Sequence, residues 1–229
     1  MTGNMIHIPV KNKELISILD QYPALIQLED FEKNLHLTAR EHQRKRHYYV
    51  GENHMNEIVG MGTNHDGFPD QLVGYDLKTN SLEHVYFEGE VDSQWRLDFT
   101  KKLGYLNTEM MSFLGTKNNA LTCIYPPGGF ISWHNNANAA AYNLIFTWSE
   151  NGNGWFKYID PDTKRVVTVK DEPGWQCKAA YFGHYGEPDR LMYHAASTDC
   201  WRCTVSYTFS IAEASREFRE EVLEDISSE

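Results

Sequence analysis

The residues of this chain with the most chemical potential are His134, Asn136, His194 and Arg202. Imidazole nitrogen is a common ligand of first-row transition metals, and an amide oxygen is a neutral, weaker donor than a carboxylate. His134 and Asn136 are two positions apart, so on a strand their side chains face the same side. His194 closes another strand-like run, and the three donors can converge on one face of a metal ion while leaving its other positions open. Arg202 follows His194 by eight residues and sits between Trp201 and Val205 in a strongly apolar run. An unpaired guanidinium there would be costly, which points to a bound anion. Arginine forks onto carboxylates and keeps its charge when buried. Thr204 and Ser206 share its face under strand alternation and can add a hydroxyl hydrogen bond. Asn143, Ile145 and Thr147 fall on one face of the strand after the first histidine, and Tyr125, just before Pro126-Pro127-Gly128-Gly129, can reach the same pocket.

Simpler readings compete with these. The chain has ten histidines, so a chance pair is expected, and a lone histidine in a strand is more often packed than ligating. What lifts His134 and His194 is their conjunction with Arg202 and the strand layout. His184 competes for the second position, but no arginine follows it at that spacing. Tyr125 and Asn143 read equally well as core. His65-Asp66 is a metal-friendly pair whose simpler explanation is a glycine-rich loop. Trp133, Trp148, Trp155, Trp175 and Trp201 read as core and barrel rim.

The elements that would position these residues divide the chain. Residues 12–20 predict a short helix capped by Asn12, and a second helix is predicted from Asp30 to Arg46 with Phe31, Leu35 and Leu37 inward. Residues 51–80 are rich in Gly, Asn, Asp and His and read as loop, with a short strand near Gln71–Tyr75. Leu82–Phe87 alternates like a strand. Asp92 to Leu114 predicts the longest helix, interrupted by Gly104. Eight short β-rich runs then follow, punctuated by turn clusters: Leu121–Tyr125, Phe130–His134, Ala141–Trp148, Gly154–Ile159, Val166–Val169, Trp175–Phe182, Leu191–His194 and Trp201–Phe209. An acidic amphipathic helix, Glu213 to Asp225, closes the chain. The expected layout is one domain: residues 1–115 as a helical and mixed support region, 116–211 as a jelly-roll core, and 212–229 as a C-terminal helix.

Composition sets the outer bounds. The 229 residues carry 41% hydrophobic and 13% aromatic residues, enough for a sizeable core. With 21 basic and 32 acidic residues the net charge is −11, which opposes binding to duplex nucleic acid. The basic segment from Arg40 to Arg46 reads as a solvated helix end. No apolar signal region and no run near the ~20 apolar residues of a bilayer span is present in the sequence. Four cysteines are too few for a disulfide scaffold, so a cytoplasmic location is expected, and Cys200-x-x-Cys203 reads as two packed thiols.

Taken together, Tyr125, Gly128-Gly129, His134-Asn135-Asn136, His194 and Arg202-Cys203-Thr204 resemble the pattern of the Fe(II)- and 2-oxoglutarate-dependent oxygenases, especially the prolyl hydroxylase-like branch. The resemblance spans roughly Ala120 to Ile211. It implies a mainly β fold with flanking helices, a double-stranded β-helix or jelly roll. It also implies Fe(II) and 2-oxoglutarate as cofactors, held by His134, Asn136 and His194 and by Arg202, Thr204, Tyr125 and Asn143. The implied reaction is hydroxylation of an organic substrate (a metabolite, peptide or nucleobase) with release of succinate and CO₂. The departure is Asn136, which stands where that family has a carboxylate. The aspartyl/asparaginyl β-hydroxylase branch works with two histidines and no acid. Residues 127–134 resemble its approach to the first ligand, although its arginine on the following strand is missing. Two other readings follow from Asn136: a halide site, or a catalytically inactive jelly-roll binding protein. A cupin-type enzyme would want a His-rich motif with a glutamate, which is absent.

Overall fold

Apolar alternation from Asn119 onward becomes strands that cross back and forth between two sheets. The computed structural model describes residues 5–77 and 93–229. In chain order the regular elements are β1 (Ile6–Ile8), α1 (Lys13–Leu19), α2 (Phe31–Asn34), α3 (Arg46–Tyr49), α4 (Glu52–Met61), β2 (Leu72–Val73), β3 (Tyr75–Asp76) and α5 (Ser93–Leu114). They continue with β4 (Asn119–Tyr125), β5 (Phe130–His134), β6 (Tyr142–Ser149), β7 (Gly154–Ile159), β8 (Val166–Lys170), β9 (Gly174–Tyr181), β10 (His194–Thr198), β11 (Arg202–Phe209) and α6 (Arg216–Ser227). One sheet has the order β1-β9-β6-β11-β4-β3 and the other β2-β5-β10-β7-β8, and every pairing is antiparallel. From β4 to β11 successive strands alternate between the sheets, except that β7 and β8 form a hairpin within one. This is a jelly roll, mainly β with flanking helices.

The outer face of the six-stranded sheet carries the main core. Leu144, Phe146, Val205 and Tyr207 pack there against α1, α5 and α6, through residues such as Leu15, Leu103, Met110 and Val222. The Tyr207 hydroxyl donates to Asn107 Oδ1 on α5 at 3.0 Å, so the buried phenol is satisfied. The opposite face of that sheet is left for the cavity between the sheets. On the smaller sheet, Trp133 and Ala195 turn outward and pack with Tyr193, just before β10, against Ile58 of α4, and Trp133 Nε1 donates to Val50 O at 3.1 Å.

Several elements differ from expectation. The helix predicted over Asp30–Arg46 is broken. It stops at Asn34, Leu35 to Leu37 is irregular, and Arg40–Lys45 is a 3-10 turn. The reason is legible in burial: Leu35 and Leu37 are buried either side of His36, an in-out-in alternation that suits an extended chain. The Thr38 hydroxyl then binds the carbonyls of Leu72 and Gly74. The loop expected over 51–80 contains helix α4, whose buried face is His54 and Ile58. A histidine in the apolar stripe hides that face from a hydrophobic pattern. The strand near Gln71–Tyr75 is two short ones, β2 and β3, each extending a different sheet. The strand expected at Leu82–Phe87 lies outside the described residues. The long helix runs through Gly104 without a break. The acidic helix begins at Arg216, after a 3-10 turn, and runs on to Ser227.

Candidate active site

A cavity of about 770 Å³ lies between the sheets, and all seven sequence-predicted site residues line it: Tyr125, His134, Asn136, Asn143, His194, Arg202 and Thr204. The antiparallel pairing of β5 and β10 sets His134 directly opposite His194, and their rings are 4.1 Å apart between centroids. A register shift just beyond, between His194 and Ala196, bends β10 at this point. His194 opens its strand rather than closing it. Leu191 to Tyr193 are buried without a ladder, whereas the small residues Ala195 to Thr198 are held as a strand by β5 and β7 on either side.

Both histidines are fixed in the same way. His134 Nδ1 lies 2.8 Å from Ser132 O, and His194 Nδ1 lies 3.0 Å from Met192 O. A carbonyl only accepts, so each Nδ1 carries the proton and each Nε2 keeps its lone pair. Burial holds His134 well below the usual imidazole range, with the neighbouring His194 adding to the effect and the Ser132 carbonyl opposing it. Burial also pushes His194 down to about 4, again against a carbonyl, that of Met192. At neutral pH both rings are therefore neutral donors of the kind metals bind. Phe156 and Phe182 flank His194, with ring centroids at 5.6 and 4.7 Å, and give this end of the cavity an apolar lining.

Asn136 is not on the strand with His134. Strand β5 ends at His134, and Asn136 lies in the loop beyond, where its carbonyl accepts from Ala139 N at 2.9 Å. Ala137 has φ of 49°, so the chain turns away immediately after it. Asn136 still lines the cavity, with no hydrogen bond to its side chain among the described residues. Across from it the segment Asp66-Gly67 packs against Ala137, where a Cβ on Gly67 would sit 2.6 Å from Ala137 N. Asp66 lines the cavity but is exposed, and it caps Phe68 N at 2.9 Å. His65 is buried beside it, and its Nδ1 accepts from Gly67 N at 3.0 Å. Among the described residues no three His, Cys, Asp or Glu side chains form a metal cluster.

At the other end, the inward residues of β11 form a polar ladder of Arg202, Thr204, Ser206 and Thr208, all lining the cavity. The Arg202 guanidinium is fully buried but not unpaired, which corrects the expectation. Its Nε donates to Asp171 Oδ2 at 2.8 Å and its Nη1 to Thr204 Oγ1 at 2.6 Å. Asp171 lies just past β8, and its carboxylate fills the space where Gly154 has no Cβ. On β9, Lys178 Nζ lies 3.9 Å from Asp171 Oδ1, and both side chains are wholly buried. Tyr125 pairs across the ladder with Arg202, its ring centroid 5.5 Å from the guanidinium carbon. The hydroxyl of Tyr125 is buried beside the Cys123 thiol, and that of Thr147 is buried with no hydrogen-bond partner among the described residues. Asn143 Nδ2 donates to Ala141 O at 3.1 Å. His184, the competing histidine, does not line the cavity.

Sequence reasoning missed Asp171 and Lys178. Lys178 had a signal: it interrupts Cys177-Lys178-Ala179-Ala180, an otherwise apolar strand where a lysine needs a buried partner. Asp171 had none, since it stands beside Glu172 before a Pro-Gly turn and looks like surface.

No family model matches the sequence, and no curated protein matches it. Among solved structures, the chain is similar to a prolyl-4-hydroxylase from Pseudomonas putida, at 11% identity and a TM-score of 0.43, covering 92% of this chain and 95% of that one. It is also similar to a dioxygenase for auxin oxidation in rice, at 12% identity and a TM-score of 0.37, covering 93% and 75%. A third is a dioxygenase for auxin oxidation from Arabidopsis thaliana in binary complex with 2-oxoglutarate, at 9% identity and a TM-score of 0.34, covering 91% and 84%. At scores this low the jelly roll is established by the chain's own strand order rather than by these likenesses.

Proposed function

We propose that the chain is an Fe(II)- and 2-oxoglutarate-dependent oxygenase that hydroxylates an organic substrate, a metabolite, peptide or nucleobase. The observation that carries the reading is one cavity joining two neutral histidines, each with Nε2 free to ligate, to a buried arginine that keeps donors to spare. The residues fit the implied groups. His134 and His194 would hold the metal, with Asn136 or a water in the third position. Arg202, Thr204 and the buried hydroxyl of Tyr125 would hold the distal carboxylate of the oxo acid, with Asn143 on the same wall. Bound Fe(II) and 2-oxoglutarate supply oxygen activation coupled to loss of CO₂.

The chain's own residues do the positioning. The Ser132 and Met192 carbonyls fix the imidazole tautomers and hold both Nε2 atoms as donors. Asp171 and Thr204 orient the Arg202 fork. Phe156, Phe182, Ile145 and Ala196 exclude water from the histidine end. No helix among the described residues is long and apolar enough to cross a membrane. All four cysteines are buried and unpaired, which supports a reducing, cytoplasmic setting.

The test is an anaerobic titration of the protein with Fe(II) and then 2-oxoglutarate. A weak visible charge-transfer band, followed by succinate on admitting air, is the expected result. Neither band nor succinate would reject the reading. Asn136, a neutral donor where the resembled family has a carboxylate, favours a second reading, a jelly-roll binding protein. That protein would bind the oxo acid equally well with and without metal. Arg202→Lys keeps the charge but loses the fork, and should weaken the oxo acid by roughly tenfold or more.

A further inference from the structure

At and behind the arginine end of the cavity lie two buried cations and one buried carboxylate. Asp171 Oδ2 takes the hydrogen bond from Arg202 Nε, while Asp171 Oδ1 accepts none from the described residues and faces Lys178 Nζ at 3.9 Å. Lys178 has one neutral hydrogen-bond partner, Gln176 Oε1 at 3.1 Å. The two strands between which this cluster is strung present no further charge. On β6, Ile145 pairs with Lys178 and Thr147 with Gln176, and Thr147 stands beside Thr204 of β11. One negative charge is therefore shared by two positive ones in a place from which water is largely excluded. A buried surplus of one charge is costly unless something completes it.

We propose that Lys178 is the positioning residue that sets the charge of the anion pocket: its ammonium draws on Asp171, leaving Arg202 one negative charge short, and the terminal carboxylate of the co-substrate supplies that charge. The inference rests on the reading of Arg202 as the anion anchor. Lys178 does not line the cavity and acts through Asp171. Among the fully buried groups, Asp171, Lys178 and Arg202 together carry +1 and an arriving carboxylate brings them to zero, while the exposed Glu172 and the half-buried Asp76, which also lines the cavity, are screened by solvent. Without it, Arg202 and Asp171 already cancel, and the same carboxylate would be buried as an uncompensated charge. The groups facing the ammonium are Asp171 and Glu172 from the β8–β9 turn, Arg202 from β11, His7 from β1 and Cys177 on its own strand. Burial, opposed by Asp171, pushes Lys178 down to about 8. An added carboxylate favours the ammonium, so binding near that pH takes up protons.

Glutarate is the probe, because it has the distal carboxylate and lacks the oxo group that chelates metal. Calorimetric titration of metal-free full-length protein at pH 8, in two buffers of different ionisation enthalpy, reads affinity and proton uptake together. Wild type should bind glutarate with uptake of up to about half a proton. Lys178→Met should weaken binding at least about tenfold and abolish the uptake. Lys178→Arg should keep the affinity and lose the uptake, since arginine stays charged. The methionine variant leaves the Arg202–Asp171 pair in place, and the uptake by wild type alone is a second measurement independent of it. Lys178→Met binding within twofold of wild type, or wild type binding without proton uptake, overturns the role of Lys178 and leaves Arg202 as an anchor. No glutarate binding by wild type overturns the anion pocket itself, and the oxygenase reading with it.

Discussion

Replacing Asp171 with Asn tests the buried charge cluster most directly. The amide is close to isosteric, so it keeps the fit against Gly154 and removes only charge. Asp171 faces Arg202 Nε at 2.8 Å and Lys178 Nζ at 3.9 Å, with side chains at most 2% exposed. At an effective dielectric of ~20, pairs at these distances attract by about 6 and about 4 kcal/mol. Desolvation of the carboxylate cancels several kcal/mol of this, and the asparagine oxygen can still accept from Arg202. Removing one partner of a buried pair typically costs about 3–5 kcal/mol, and that range fits the sum. For a chain of this length each kcal/mol moves the midpoint by about 2–4 °C, so a fall of roughly 6–20 °C is expected. Equilibrium urea unfolding at pH 7 reads the free energy, and scanning calorimetry reads the midpoint. Asp171→Asn combined with Lys178→Met should recover at least about 1 kcal/mol, because the surplus falls from two cations to one. A loss below about 1 kcal/mol in the single variant, or a double variant no better than the single, would refute the account.

Three further outcomes follow. Asn136→Asp restores an anionic donor beside the two histidines and should raise Fe(II) affinity by tenfold or more on the ~1.4 kcal/mol-per-decade scale; equilibrium dialysis giving an unchanged affinity would place Asn136 outside the metal's reach. In the metal-free protein, His194 titrates near 4 when folded and near 6.5 when unfolded, so the unfolded chain binds more protons between those values. Stability should therefore fall as pH drops through 6.5 to 4, by up to roughly 3 kcal/mol from this residue, with His134 adding in the same direction; a denaturation midpoint flat across that window would contradict neutral, buried rings. Gly104→Ala in α5 meets no atom within 4 Å and should stabilise the protein by about 1 kcal/mol, read as a higher melting temperature, with no gain arguing for a constraint at that turn.

The sheet strands were legible because turn chemistry and alternation agree along residues 119–209, and their observed bounds differ from the reading by one or two residues for most of them. His134 and His194 were found for a simple reason: a ladder places residues of two adjacent strands side by side, and a polar residue in an apolar run stands out. Asn136 was read on a strand that stops two residues earlier, since nothing in His134-Asn135-Asn136 announces where pairing ends. The helix α4 was hidden by His54, which occupies a core position that a hydrophobic pattern assigns to solvent. Asp171 could not be read at all. Its burial depends on a gap left by Gly154 and on two cations from distant strands, and tertiary packing alone brings these together.

The contact of Gly67 with Ala137 limits how this protein can be re-engineered. Gly67 has φ of 89° and Ala137 φ of 49°, and the two backbones touch where a side chain on Gly67 would collide. The segment bearing Asp66 and Phe68 and the segment bearing Asn136 are interlocked, so they form one exchangeable part. A loop graft at residues 65–69 taken alone would displace Asn136, and a library built to vary the cavity mouth has to vary residues 135–138 with it.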